Sequence, residues 1–388
     1  MKTDRILITR TDRLGDVVIS TPVIRFLREK FPFAQIAMLV APMTCDVVCN
    51  NPDIDEVIIY DKCNKQKGLW ETIKFAFALK KKQFDLAIAL HPTNRVHLML
   101  FIAGIPIRIG YDRNFGKLLN KRFSHRKQKG AMHEVMYNFD LLSRAGFQTD
   151  NADIRPYMVI GQEDKELVDT ILREQGVGSN FIHSAVQNPA INGGVGKSRL
   201  SMNPYPKPRA FSPGSLKGFI VIHPGASCPS KRWPVERFAK VADSVVDHFG
   251  YDVVLVGAGD AEELSARVAR RMRNRSFDLT DMLRVGELAE VLRRGKLLIS
   301  NDSGPVHVAT AVGTPVVCVF GRSDPGLSPK RWRPLGKNDI VLHKNAGCRE
   351  CFAHNCQKDF ACLKAITVDE AITAANRILE GQGARGEK

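Results

Sequence analysis

The sequence predicts an α/β protein of two Rossmann-like domains, each a doubly wound parallel sheet, facing one another across a cleft. Three observations carry that expectation. Apolar runs of strand length alternate with amphipathic stretches of helix length through the first 173 residues. The same alternation restarts at Phe219 and continues to Phe320. Between the two, residues 175–217 hold six glycines, five prolines and no acid, without apolar periodicity, which marks a linker or insertion. Alternating β and α segments build parallel sheets covered by crossover helices. The domains are expected at 1–174 and 218–388.

In chain order, residues 5–9 (RILIT) form the first strand. Residues 10–16 turn; Gly15 allows close backbone approach, and Asp16 meets the positive end of the next helix. That helix is expected over 17–30, with Val17, Val18, Ile24 and Leu27 on its apolar side. The unit repeats as strand 35–40, helix 43–50, strand 57–60, helix 69–82, strand 86–90, helix 93–103 and strand 107–109. Residues 113–129 carry seven Lys or Arg and no acid. They read as a solvated loop or, lying after a strand's carboxyl end, as a patch for an anionic substrate or membrane surface. Helices near 133–145 and 163–173 close the half.

The second half starts with strand 219–223, a loop ending in Ser227, helix 235–249, strand 253–256, a Gly257–Gly259 turn, helix 261–272 and a helix near 287–294. Residues 297–321 (LLISNDSGPVHVATAVGTPVVCVFG) then read as strand, turn, helix and strand. Asp302 or Ser303 suits the N-cap, Pro305 the first helical turn, and Gly313 the stop. Such a turn sits at the carboxyl edge of the sheet, where open α/β sheets bind ligands. The N–H groups of Ser303 and Gly304 would face an anion there, phosphate above all. The plain alternative is an ordinary αβ unit with an Asp cap. The glycine pair at 257 and 259 lacks a full dinucleotide fingerprint, so no nicotinamide cofactor is expected, nor any other.

A net charge of +16 suits a polyanionic partner. Nucleic acid is not expected, because no RNP or zinc-finger pattern is present. No apolar run reaches membrane-spanning length, and the first residues lack a signal-peptide core. The expected location is cytoplasmic, with peripheral contact at a membrane surface. Five of nine cysteines are scattered; Cys348, Cys351, Cys356 and Cys362 cluster. That spacing admits a structural zinc or two disulfides, and a staple of a surface loop suits it better than a catalytic role.

Asp16 is the prominent acid of the first half and suits a general base that deprotonates an attacking hydroxyl. A helix-start acid without substrate contact is the alternative. Arg10 and Arg13 are expected to hold its pKa down and to suit a phosphorylated acceptor. His91 ends a strand and reads as a cleft residue or a packed loop histidine. In the second half, Lys231 or Arg232 suits a diphosphate, and Glu262 or Glu263 could accept ribose hydroxyls.

Together, RTDRLGDVVISTPVIRFLREKFP, HPGASCPSKRWPVERFAKV and ISNDSGPVHVATAVGTPVVCVFG resemble the bacterial heptosyltransferases, glycosyltransferase family 9. The resemblance spans about 6–334 apart from the insert, and a CLKAI–TVDEA tail is similar too. It implies a GT-B fold, with acceptor on the N-terminal half and nucleotide-sugar on the C-terminal half. It also implies inverting, metal-independent transfer of heptose from ADP-heptose to a phosphorylated, lipid-linked lipopolysaccharide-core acceptor at the inner membrane. A transferase or epimerase using a UDP- or GDP-sugar is the alternative. By matching motifs, the resemblance implies Asp16 as base, Lys231 at the diphosphate and Asp302 at the donor sugar. Ser303 and Gly304 fall at the phosphates, His307 closes that motif, Ser227 lies in the donor loop and Glu262 is the ribose ligand. Arg10, Arg13 and His91 are left for the acceptor.

Overall fold

The computed structural model describes residues 3–177, 218–348, 350–352 and 355–383. Most of the expected 175–217 linker therefore lies outside the described residues. The first lobe holds β1 (Arg5–Arg10), α1 (Leu14–Val18), α2 (Thr21–Lys30), β2 (Gln35–Val40), β3 (Glu56–Ile59), α3 (Leu69–Lys80) and β4 (Leu86–Ala89). It continues with α4 (Asn94–Ile102), β5 (Ile107–Asp112), β6 (Lys121–Ser124), α5 (Glu134–Arg144) and α6 (Gln162–Gln175). Its six strands are parallel in the order β3-β2-β1-β4-β5-β6.

The second lobe holds β7 (Phe219–His223), α7 (Val235–Phe249), β8 (Asp252–Leu255), α8 (Ala261–Arg271), β9 (Phe277–Asp278), α9 (Val285–Arg294) and β10 (Leu298–Asn301). After them come α10 (Gly304–Ala311), β11 (Val316–Phe320), α11 (Pro329–Trp332), β12 (Ile340–His343), α12 (Ala361–Lys364) and α13 (Val368–Gly383). Its sheet, β12-β11-β10-β7-β8-β9, repeats the first lobe's order strand for strand. The two Rossmann-like domains face each other across a cleft, the GT-B arrangement that the resemblance implies.

Each sheet is covered on both sides, so its central strands are apolar throughout. Ile6 and Ile8 of β1 point into a core with α2, α5 and α6. Leu7 points the other way, against Ala76 and Leu79 of α3 and Met99 and Leu100 of α4. In both sheets the strand order reverses beside the first strand, between β1 and β4 and between β7 and β10. Ligand crevices form outside the carboxyl ends at such switch points, and the two crevices face one another here.

Several local expectations change. The single helix over 17–30 is two, because Pro22 falls in the first turn of α2 and cannot donate to an uninterrupted ladder. The Ser20 hydroxyl donates to the Asp16 carbonyl (2.8 Å) and Thr21 to that of Val18 (2.8 Å), so side chains serve the break. The helix expected over 43–50 is a 3-10 turn, Pro42–Val47. The basic run 113–129 is no simple loop: it contains the edge strand β6, and Lys127 is buried. Among the described residues no helix is long and apolar enough to cross a membrane.

Candidate active site

The interlobe cleft is a cavity of about 1300 Å³. From the first lobe, Arg10 ends β1, and Arg13, Gly15 and Asp16 follow it around the start of α1. His91 follows β4. From the second, Ser227 and Lys231 come from the loop after β7, Asp302 and Ser303 from the turn between β10 and α10, and Gly304 and His307 from the first turns of α10. Val256, Gly257, Ala258, Asp260 and Ala261 after β8 form one further stretch of wall, with Leu288 of α9 and Trp332 of α11 among the others. Three candidates stay outside: Glu262 and Glu263 are exposed on α8, and Arg232 turns to the Ala226 carbonyl and Asp260, whereas Asp260 and Ala261 do line the cleft.

The lobes touch at the cleft floor, where the start of α1 meets the start of α10. A Cβ on Gly15 would lie 2.6 Å from the ring of His307, and one on Gly304 3.2 Å from Leu14. Glycine is needed at 15 for this approach. Gly15→Ala is expected to cost about 1–3 kcal/mol in folding stability, read by chemical denaturation. Adding His307→Ala should restore most of it. A single variant as stable as wild type would show that the ring has room to retreat.

Asp16 is nearly buried and paired with Arg10, whose guanidinium also bonds Asp12 (2.8 Å). Arg10 reaches Glu134 Oε1 at 3.3 Å. The guanidinium is thus committed to three carboxylates; it lines the cleft while its charge is spent on the Asp16 surroundings. Burial raises the Asp16 pKa, and Asp12 and Glu134 add to it, so that despite Arg10 it reaches about 6. The expected lowering by Arg10 and Arg13 is overturned: desolvation outweighs the pairing. Arg13 is exposed. His91 Nδ1 lies 3.2 Å from Asp12 Oδ2, and burial lowers the His91 pKa.

Glu134 escaped sequence reasoning. It sits in the first turn of α5, where an acid looks like a plain dipole partner, yet it is buried among cations. Its Oε1 accepts from Lys127 Nζ (2.6 Å) and its Oε2 from Arg331 of the second lobe (2.8 and 3.0 Å). Burial would raise its pKa, but Lys127, Arg10 and Arg331 together hold it at about 2. The lobes are also tied by α6, whose Asp169 pairs with Arg294 of α9, and by His133 Nε2 at 2.9 Å from the Arg333 carbonyl.

Across the cleft, Lys231 Nζ lies 2.5 Å from Asp302 Oδ2. Burial raises the Asp302 pKa while Lys231 opposes it. His223, at the end of β7, places Nδ1 3.2 Å from both Ser300 Oγ and Ser303 Oγ. Burial holds its pKa at about 4 and that of His307 at about 3, so both rings are neutral at pH 7. His223 is a further cleft residue; its place at a strand's carboxyl end was the available signal. Gly225 and Gly257 pack against Ala261, where added Cβ atoms would come within 2.8 and 2.4 Å of the alanine methyl. These turns keep the wall low enough for a flat group to lie on it.

Away from the cleft, Cys348, Cys351, Cys356 and Cys362 line one cavity of about 320 Å³ with Phe352 and Phe360. All four are free thiols, so the disulfide alternative does not hold in this structure. Among the described residues no set of three or more ligating side chains is arranged to hold a metal ion.

The family model of glycosyltransferase family 9 (heptosyltransferase) matches residues 72–361. The chain is 26% identical over 379 residues to lipopolysaccharide heptosyltransferase 3 of Escherichia coli K12, covering 94% of this chain and 95% of that one. Among solved structures, it resembles a glycosyl transferase family 9 protein from Veillonella parvula, with a TM-score of 0.80, 24% identity and coverage of 98% and 99%. It also resembles the E. coli ADP-heptose lps heptosyltransferase II, with a TM-score of 0.73, 21% identity and coverage of 98% and 99%. These likenesses span both lobes.

Proposed function

Because the chain belongs to glycosyltransferase family 9, the heptosyltransferases, we propose that it transfers heptose from ADP-heptose to a lipopolysaccharide inner-core acceptor, with inversion and without a metal. The observation that carries this reading is the two-sided cleft. An acid with a pKa of about 6 stands on one lobe, and a lysine beside a helix start stands on the other. In-line displacement at an anomeric carbon needs a base on one face of the sugar and charge stabilisation at the leaving group on the other.

In this reading the donor lies on the second lobe. Its diphosphate meets Lys231 and the N–H groups of Ser303 and Gly304, where the dipole of α10 favours an anion. Asp302 turns its carboxylate to a sugar hydroxyl, held in place by Lys231, while Ser227 lines the loop beside it. The low wall at Gly257 takes the nucleoside. With Glu262 off the cleft wall, Asp260 stands nearer the ribose. On the first lobe Asp16 takes the proton of the acceptor hydroxyl, and Arg13 and His91 face the acceptor's anionic groups. Lysine and helix dipole supply the positive charge that the departing diphosphate needs.

The test is a release assay with purified donor and heptose-deficient core acceptor, together with thermal shifts by ADP, UDP and GDP. ADP is expected to raise the Tm most. Stabilisation by UDP or GDP alone would favour another nucleotide-sugar enzyme. Lys231→Ala is expected to weaken ADP binding about ten- to hundredfold by titration calorimetry. Unchanged affinity would remove the diphosphate from that loop.

A further inference from the structure

We propose that the outer face of α3 and α4, with the adjoining Gly116–Leu118 turn, is where this protein rests on an anionic lipid bilayer. The proposal deepens the reading above, since it takes the acceptor to be lipid-linked, and names the surface that brings the cleft to it.

α3 is apolar on two opposite sides and has a partner on only one. Thr72, Ala76 and Leu79 point into the first lobe's core. Opposite them, Trp70, Lys74, Phe77 and Lys81 recur at i, i+4, i+7 and i+11, which is one helix face. That face is bare: Trp70 is 64% and Phe77 54% exposed. Leu69, Phe101 of α4 and Phe115 beside the turn are exposed as well. Aromatic groups this open, on helices that are otherwise well packed, mark a surface used for contact.

The charge says what kind of contact. Residues 61–129 contain sixteen Lys or Arg and four Asp or Glu, and of the sixteen cations Lys127 is buried with Glu134 and takes no part in this surface. Lys74 Nζ stands 6.0 Å from the Trp70 ring centroid and the Arg108 guanidinium 5.6 Å from that of Phe101. Rings interleaved with long basic side chains fit a lipid–water boundary. The rings enter the headgroup region while the ammonium groups snorkel to phosphates. A protein partner would be better met by a continuous apolar patch than by one broken by lysines.

The face also borders the route to the cleft. A side pocket of about 350 Å³, lined by Lys62, Asn94, Arg95 and Arg113, opens at the start of α4. It shares His91, Pro92 and Arg113 with the interlobe cleft. A saccharide anchored in the bilayer can therefore enter from this side while its acyl chains stay in the lipid.

Vesicle co-sedimentation tests this with phosphatidylethanolamine–phosphatidylglycerol vesicles against phosphatidylcholine alone, without donor or acceptor. The protein is expected to partition onto the anionic vesicles and to leave them at high salt. Trp70 emission should shift to shorter wavelength, and Trp70→Phe should remove the shift. The pair Trp70→Ser and Phe77→Ser should lower partition about tenfold or more, as should Lys74→Glu with Lys81→Glu. Phe352→Ser on the other lobe should change nothing. The Trp70/Phe77 variant should still turn over a deacylated, water-soluble acceptor. Unchanged partition in both double variants, or an equal loss in Phe352→Ser, would overturn the assignment. Intact partition with no transfer to any acceptor would support the docking face and defeat the enzymatic reading alone.

Discussion

Asp16→Asn is expected to lower turnover by about 10²–10⁴ while leaving ADP affinity unchanged. Amide and carboxylate have the same shape, so the variant can still accept from Arg10 through its amide oxygen, but it loses the negative charge and with it the ability to take a proton. The pH profile gives a second readout. With the Asp16 pKa at about 6, wild-type kcat/KM should fall roughly tenfold per pH unit below that value, and the residual activity of the variant should lack this limb. Stability should move the other way. A carboxyl raised from 3.8 to about 6 on folding prefers its protonated form in the native state. Its contribution turns unfavourable as pH rises through that window and stays so above it. At pH 7.5 the variant should therefore unfold no lower than wild type, and gain up to about 1–3 kcal/mol. Below pH 4 the difference should vanish. Full turnover in the variant would take the base away from Asp16.

Much of this site is local in sequence and so could be read there. Turns after β1, β7 and β10 carry their residues within a few positions of a strand end, and strand–turn–helix spacing tells which ends share a sheet edge. What escaped reading depends on burial or on distance along the chain. The direction of the Asp16 shift follows from desolvation, which a count of neighbouring arginines ignores. Glu262 and Asp260 are two residues apart on a helix start, and sequence does not say which of them turns to the cleft. β6 (KRFS) is a short outer strand with no apolar run, so nothing in its composition separates it from loop, whereas the Ile-Val-Leu of β12 is a strand signal that went unread. The split between α1 and α2 was legible in Pro22, whose missing N–H ends a ladder. Glu134 was beyond reach, because its partners Arg10 and Arg331 lie 124 and 197 residues away.

That network carries the largest expected effect on stability. Glu134→Ala is expected to cost about 3–5 kcal/mol, measured by chemical denaturation, since it leaves Lys127, Arg10 and Arg331 facing one another without their shared carboxylate. The pH dependence is opposite in sign to that of Asp16. Glu134 is held at about 2, below its ordinary 4.5. Its stabilisation is complete above pH 4.5 and is lost as pH falls towards 2. Wild type should therefore lose stability over that interval faster than the alanine variant. Glu134→Gln separates structure from charge: it keeps the side chain's shape, and removing the negative charge takes away one of the influences that raise Asp16. Arg10, released from one carboxylate, then acts more fully on Asp16, and the acid limb of kcat/KM should move below pH 6. A Glu134→Gln enzyme with the wild-type limb and wild-type stability would mean that the buried cluster neither ties the lobes nor tunes the base.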